Sequence, residues 1–201
     1  MTKTLDDNTF ATNPGKITIS HKRLRLLHPD LYGLRAAIVR WGLRVNGHVP
    51  ALVYLEEHML YGDSRAAVVL STDPLLVAAY TDEFDCVALL RFPARIAETC
   101  SPRVGQRLLT VNTYKRQTTR DADLVMGPKM MDRWSGFHPI IADFISDDEA
   151  RIAARIEEIG NDEFQRALAM GKAYVAQFPD RTRDGRPVYA QFPAGSRTFP
   201  D

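Results

Sequence analysis

Glu56-Glu57-His58 is the densest cluster of acid and base side chains in this sequence. A carboxylate beside an imidazole can orient the ring and tune its pKa toward neutrality, which is what a proton-transfer site requires. The run Ala51 to Leu55 that leads into the cluster reads as a strand, and along a strand alternate side chains share a face. Glu56 and His58 would then point together and Glu57 away. His138, followed by Pro139, is the next candidate, and a hydrolase-like site of this dispersed kind needs His58, His138, Asp63 and Asn112 to converge. Without that convergence the cluster is a solvated strand end.

The strings that announce common chemistries are missing. No two of the five histidines stand four residues apart, HExxH is absent, and there is no GxSxG elbow, Walker loop or GxGxxG. Cys86 and Cys100 form no CxxC pair, and no further cysteine exists to complete a zinc cluster. Asp121 and Asp123, and the triplet Asp147-Asp148-Glu149, offer oxygen ligands to a hard cation but lack an EF-hand frame. The triplet is better explained as the acidic first turn of a helix. Neither a metal nor a cofactor is expected.

Tyr114-Lys115-Arg116, with Arg120 shortly after, combines an aromatic ring with cations in the manner of a phosphate-contacting loop. The run His21 to Arg25 and Arg35, Arg40 and Arg44 could extend it into a basic surface. Charge is segregated: residues 1–50 carry eight Lys or Arg against three Asp or Glu, and residues 51–100 carry three against eight. The two halves cancel, however, and a pI near 7.8 is low for a dedicated nucleic-acid binder. Tyr114 is also the one local ring for base stacking. Weak nucleic-acid contact through the basic first quarter is the third reading, behind the enzyme.

The leading reading is a protein-binding or assembly module, and it rests on the end of the chain. After Phe178 the prolines and glycines preclude regular structure, yet Tyr189, Phe192 and Phe199 make the segment more aromatic than a solvated tail. Residues 179–201 therefore read as an arm that docks by its aromatics, on its own chain, on a second copy in a homo-oligomer or on another protein.

The elements that would position these residues follow from periodicity. Residues 1–15 are polar and read as a flexible tail, with a short strand around Ile17 and Ile19 behind it. Leu31, Leu34, Ile38, Trp41 and Val45 predict a helix over 30–46, capped by Asp30 and stopped at Asn46-Gly47. Short apolar runs at 51–55, 66–70, 75–80, 86–92 and 107–116, separated by turn residues, predict an antiparallel sheet over about 50–116. A helix over 75–84 competes with the strand there.

From 138 to 178 the pattern turns helical. Phe137, Ile140, Ile141, Phe144 and Ile145 are helically spaced, Ser146 and Glu149 suggest a capping box, and Ile152, Ile156 and Ile159 form a stripe. Phe164, Leu168, Gly171, Val175 and Phe178 form a second stripe, predicting a helix antiparallel to the first. The expected fold is α+β: one domain over 16–178, its sheet packed against the 30–46 helix and the 138–178 helical segment. An acidic start without an apolar run predicts no signal peptide or membrane span, hence a soluble cytoplasmic protein with reduced thiols.

Overall fold

The computed structural model describes residues 11–33, 38, 51–116 and 118–187. Six strands form one sheet in the order β5-β4-β1-β2-β3-β6: β1 Asp63–Thr72, β2 Leu75–Thr81, β3 Cys86–Phe92, β4 Arg107–Lys115, β5 Gly136–Ile141 and β6 Arg183–Asp184. All neighbours pair antiparallel except β3 and β6. The helices are α1 His21–Leu27, α2 Ala51–Tyr61, α3 Ala94–Cys100, α4 Ala142–Ile145, α5 Glu149–Glu158 and α6 Asn161–Gln177, with a 3-10 turn at Pro29–Tyr32. This is the α+β class expected.

Residues 75–81 are a strand, and the contest with a helix has a physical origin. Val77 and Ala79 face one core while Leu76, Ala78 and Tyr80 face another, so apolar residues occupy both parities. The first core lies on the concave side of the curled sheet, where Phe84, Tyr114 and Phe137 meet with ring centroids 5.9–6.3 Å apart. The second lies under α6, which contributes Phe164, Ala167 and Tyr174.

Five expectations are corrected. Residues 183–184, inside the 179–201 segment expected to lack regular structure, pair with β3 as the short strand β6. Residues 51–55 begin a helix instead of a strand: Leu52, Leu55 and Met59 pack on the core at helical spacing, and the helix stops before Gly62. Residues 136–141 are an edge strand, with helix only from Ala142. Pro139 is tolerated there because an edge strand can spare a donor, and burial on both faces of the strand imitated a helical period. The N-cap of α5 is Asp148, which accepts from Arg151 N at 3.1 Å, while Ser146 Oγ accepts from Asp148 N at 3.0 Å, so no box joins Ser146 to Glu149. Finally, α6 lies across β1, β2 and β3 instead of antiparallel to α5.

The chain from Asn13 to Ile17 is bonded to its neighbours, Ser64 N donating to Asn13 O at 2.8 Å and Ile17 N to Met59 O at 3.1 Å. Of the helix expected over 30–46, residues 30–32 belong to the 3-10 turn and Ile38 is helical, and the remainder lies outside the described residues apart from Gly33. Among the described residues no helix is long and apolar enough to cross a membrane.

A candidate binding groove

At the end of the sheet where β3 finishes, α1, α3, α4 and α5 enclose a groove of about 550 Å³, within the range of small-ligand and peptide pockets. Each wall has a local cause. Ser20 starts α1, its hydroxyl accepting from Arg23 N at 3.3 Å and its N–H donating to Ile145 O at 2.7 Å. That turns Leu24 and Leu27 into the core and leaves Lys22, Arg23 and Leu26 on the groove. Pro93 precedes α3, which buries Ile96 and ends where Ser101 takes a left-handed φ of 45°, leaving Thr99 and Cys100 on the second wall. Leu108, Phe144, Ile152 and Ile156 complete the apolar floor.

The polar groups are unevenly satisfied. Arg23 donates from Nε to Asp147 at 2.6 Å, from Nη2 to Glu149 at 3.1 Å and from Nη1 to the main-chain oxygen of Asp143 at 2.7 Å. The Asp143 carboxylate accepts from Leu109 N at 2.9 Å, and Leu109 lies one residue beyond the last paired residue of β4 and β5, so the carboxylate stands in for a missing strand partner. Burial pushes this carboxyl up to about 6, against the pull of its backbone donors and of Arg23. The Cys100 thiol is also pushed up by burial, which keeps it protonated and a poor nucleophile.

A second polar cluster sits where β1 and β2 part. Arg65 contacts Asp63 at 2.6 Å, Asp82 at 2.5 Å and Glu163 at 3.6 Å, three carboxylates around one guanidinium. Asp82 Oδ1 is buried and has no hydrogen-bond partner among the described residues. Burial pushes Asp63 and Glu163 up, with the charge of Asp82 adding to both shifts and that of Arg65 opposing them. Among the described residues no group of three or more His, Cys, Asp or Glu side chains is placed to hold a metal ion.

The residues singled out in the sequence are dispersed. On α2, Glu56 and His58 lie about 200° apart around the axis, so the shared face expected of a strand is lost. His58 is fully buried, with Nε2 2.7 Å from Val111 O and Nδ1 3.1 Å from Thr113 Oγ1. Asp63 pairs with Asn112 across the sheet and His138 with Thr113, the adjacent position on β4. Adjacent positions face opposite ways, so the two polar residues lie on one side and the two histidines on the other.

Tyr114 is buried in the concave core with its hydroxyl 3.0 Å from Thr81 Oγ1, Lys115 pairs with Asp121 at 2.7 Å, and Arg116 lies over the Trp134 ring. Asp121 and Asp123 are both taken by Arg183, at 3.2 and 2.6 Å. Tyr189, Phe192 and Phe199 lie outside the described residues.

Sequence reasoning missed Asp143, although a signal was present: it is the one charged residue within the apolar run Ile140 to Ile145. An acid in such a run has to be held by something. Thr99 and Cys100 carried no comparable signal, because only the fold brings α3 and α4 to the same groove. No family model matches the chain, and no curated protein or solved structure matches it either.

Proposed function

We propose that this protein is a protein-binding or assembly module whose groove receives the C-terminal arm, residues 188–201. The observation that carries the reading is where the described chain ends. Gly185 N donates to Arg91 O at 2.8 Å, Gly185 lies against the Phe92 ring, and Phe92 meets the groove residue Phe144 edge-on at 4.8 Å. Asp184 feels the charge of His28, the residue that ends α1. Pro187, the last described residue of the chain, is buried.

Reach and chemistry favour this occupant. Fourteen residues remain beyond Pro187, and fully extended they span roughly 46–50 Å. Burying Tyr189, Phe192 and Phe199 on an apolar floor would contribute about 1.5–3 kcal/mol each, against the entropy of ordering a segment that its prolines already restrict. A catalytic reading of the groove is weaker, since its thiol stays protonated and has no histidine beside it in the lining.

Cys100 provides the assay, because it lines the groove while Cys86 is buried with its thiol pushed up to about 12. Removing residues 188–201, which leaves Arg183 in place, should speed modification of Cys100 and lower the melting temperature. Unchanged mass in solution would then identify docking within one chain, and a fall in mass docking between copies. A truncated protein with the parent's modification rate, melting temperature and mass would overturn the proposal.

A further inference from the structure

Helix α5 carries two arginines one turn apart, Arg151 and Arg155, and neither lines the groove. Glu149, Ile152, Ala153 and Ile156 do, and at about 100° per residue the two arginines lie on the opposite side of the helix. That side meets the chain around residues 13–15. Arg155 donates from Nε and Nη2 to Ser64 Oγ at 3.1 and 2.7 Å, Ser64 Oγ donates to Asn13 O at 2.6 Å, and Arg151 Nε reaches Gly15 O at 3.4 Å. A bridge between Pro14 and Asp63 sets these acceptors side by side, so both guanidinium groups are held along one short stretch of backbone.

The charges on this face do not balance. Like charges four residues apart on a helix repel. The Arg155 side chain is 8% exposed, and the one carboxylate it pairs with among the described residues is Glu158, which is more than half exposed and therefore a weak partner. Burial pulls the Arg155 guanidinium below its ordinary range, with the charges of Arg151 and Arg65 adding to the shift and that of Asp63 opposing it. Asp63 is itself committed to Arg65 and to Asn13 N, and Asp148 to Arg151 N as the cap of the helix. Among the described residues Arg151 pairs with no carboxylate, and its two Nη groups have no acceptor.

A carboxylate fills one guanidinium fork, whereas a tetrahedral oxyanion has oxygens enough for two. We propose that Arg151 and Arg155 form a binding site for the phosphoryl group of a small molecule, the oxyanion bridging the two guanidinium groups. Arg155 is the buried and pre-positioned half: Ser64 fixes its Nε and Nη2, and Nη1 exchanges Glu158 for the ligand. Arg151, half-buried and held by a single long contact, supplies the open fork. The site involves neither the groove nor the C-terminal arm, so it stands apart from the docking reading.

The test is the thermal midpoint of the full-length protein in inorganic phosphate, with chloride added to hold ionic strength constant. A ligand that binds only the folded state raises the midpoint in a saturable way. Arg151→Gln gives up little but the long contact to Gly15 O, and it should raise the phosphate concentration that produces half the shift by about tenfold or more. Arg155→Gln should abolish the shift, but it also loses Ser64, so the Arg151 variant decides. Arg25→Gln removes an exposed guanidinium that lies over the Tyr32 ring on α1, and it should respond as the parent does. Acetate should give no saturable shift. An equal phosphate response in parent and Arg151→Gln, or a parent shift no larger than chloride alone produces, overturns the proposal. If a single-stranded oligonucleotide binds the parent more than about tenfold tighter than phosphate, and Arg151→Gln and Arg25→Gln weaken it equally, the charge is a diffuse nucleic-acid surface and the small-molecule site is refuted.

Discussion

A histidine acts as a general base only while a ring nitrogen can take up a proton at working pH. In His58 both ring nitrogens are committed, and burial pulls the pKa down to about 3, with the charge of His138 adding to the shift and the Val111 carbonyl opposing it. The imidazole is a neutral joint between α2 and β4. Its folded pKa lies below the ordinary 6.5, so the unfolded chain takes the proton first. The stability it lends is complete above pH 6.5 and drains by about 1.4 kcal/mol per pH unit as pH falls toward 3. Asp63 and Glu163 act in the opposite sense, since burial raises them and acidification relieves the charge around Arg65. The parent's pH profile sums these terms, and the difference between parent and variant isolates one. His58→Gln keeps an amide N–H for Val111 O and removes the titration. Urea unfolding at successive pH values should therefore show a shallower acid decline in this variant between pH 6.5 and 4, and equal slopes would mean that His58 is not held neutral.

Short apolar runs bounded by turn residues gave the central strands β1 to β4 although both their faces are buried, and the amphipathic α5 was legible too, whereas β5 and α2 read as the wrong element. The stripe Ile152, Ile156 and Ile159 gave α5 because one side of that helix meets the core. Strand β5 imitated a helix because Phe137 and Ile140 are buried on opposite faces, and α2 imitated a strand because five apolar residues in a row at 51–55 hide a period of 3.6. The groove was illegible for a different reason: its walls come from 22–26, 96–108 and 143–156, and no local pattern reports which helices become neighbours. Gly171 shows how far a single residue can still be read. Its place within an apolar stripe predicts close backbone approach, and a Cβ there would stand 2.7 Å from that of Ala78 and 2.9 Å from Leu70 Cδ1. Alanine should improve the helix by about 1 kcal/mol through propensity alone. Overpacking against β2 costs about 1–3 kcal/mol and outweighs that gain. Gly171→Ala should then lower the denaturation midpoint, and a raised midpoint would show that α6 can lift off the sheet at little cost.

Curling of the sheet brings its two edges together, and the closure is made by side chains where no strand pairing is available. Arg183 on β6 donates to Asp123 from Nε at 2.6 Å and from Nη2 at 2.8 Å, to Asp121 at 3.2 Å, and from Nη1 to Phe137 O on the opposite edge strand at 2.6 Å. The same segment is tied to the rest of the molecule at Asp85, which is fully buried and accepts from Tyr80, Arg166 and Lys129 N, and at Tyr174, which donates to Asp123 O. A guanidinium suits the junction because its planar fork makes these four hydrogen bonds from three fixed nitrogens, one more than the three donors of an ammonium allow. Lys115 still pairs with Asp121 when Arg183 is removed, whereas Asp123 loses the one cation it pairs with among the described residues. Arg183→Met preserves the apolar stem over the Phe137 ring and deletes the charge, so it should cost about 2–4 kcal/mol, mostly from the stranded carboxylate. Adding Asp123→Asn should recover part of that loss, because the double variant buries no unpaired charge there. Chemical denaturation measures the sum, and hydrogen exchange locates it: protection should fall first in 118–135 and along β5 while β1 and β2 keep theirs. Uniform loss of protection across all strands would mean that the edges do not open independently and that the sheet unfolds as one unit.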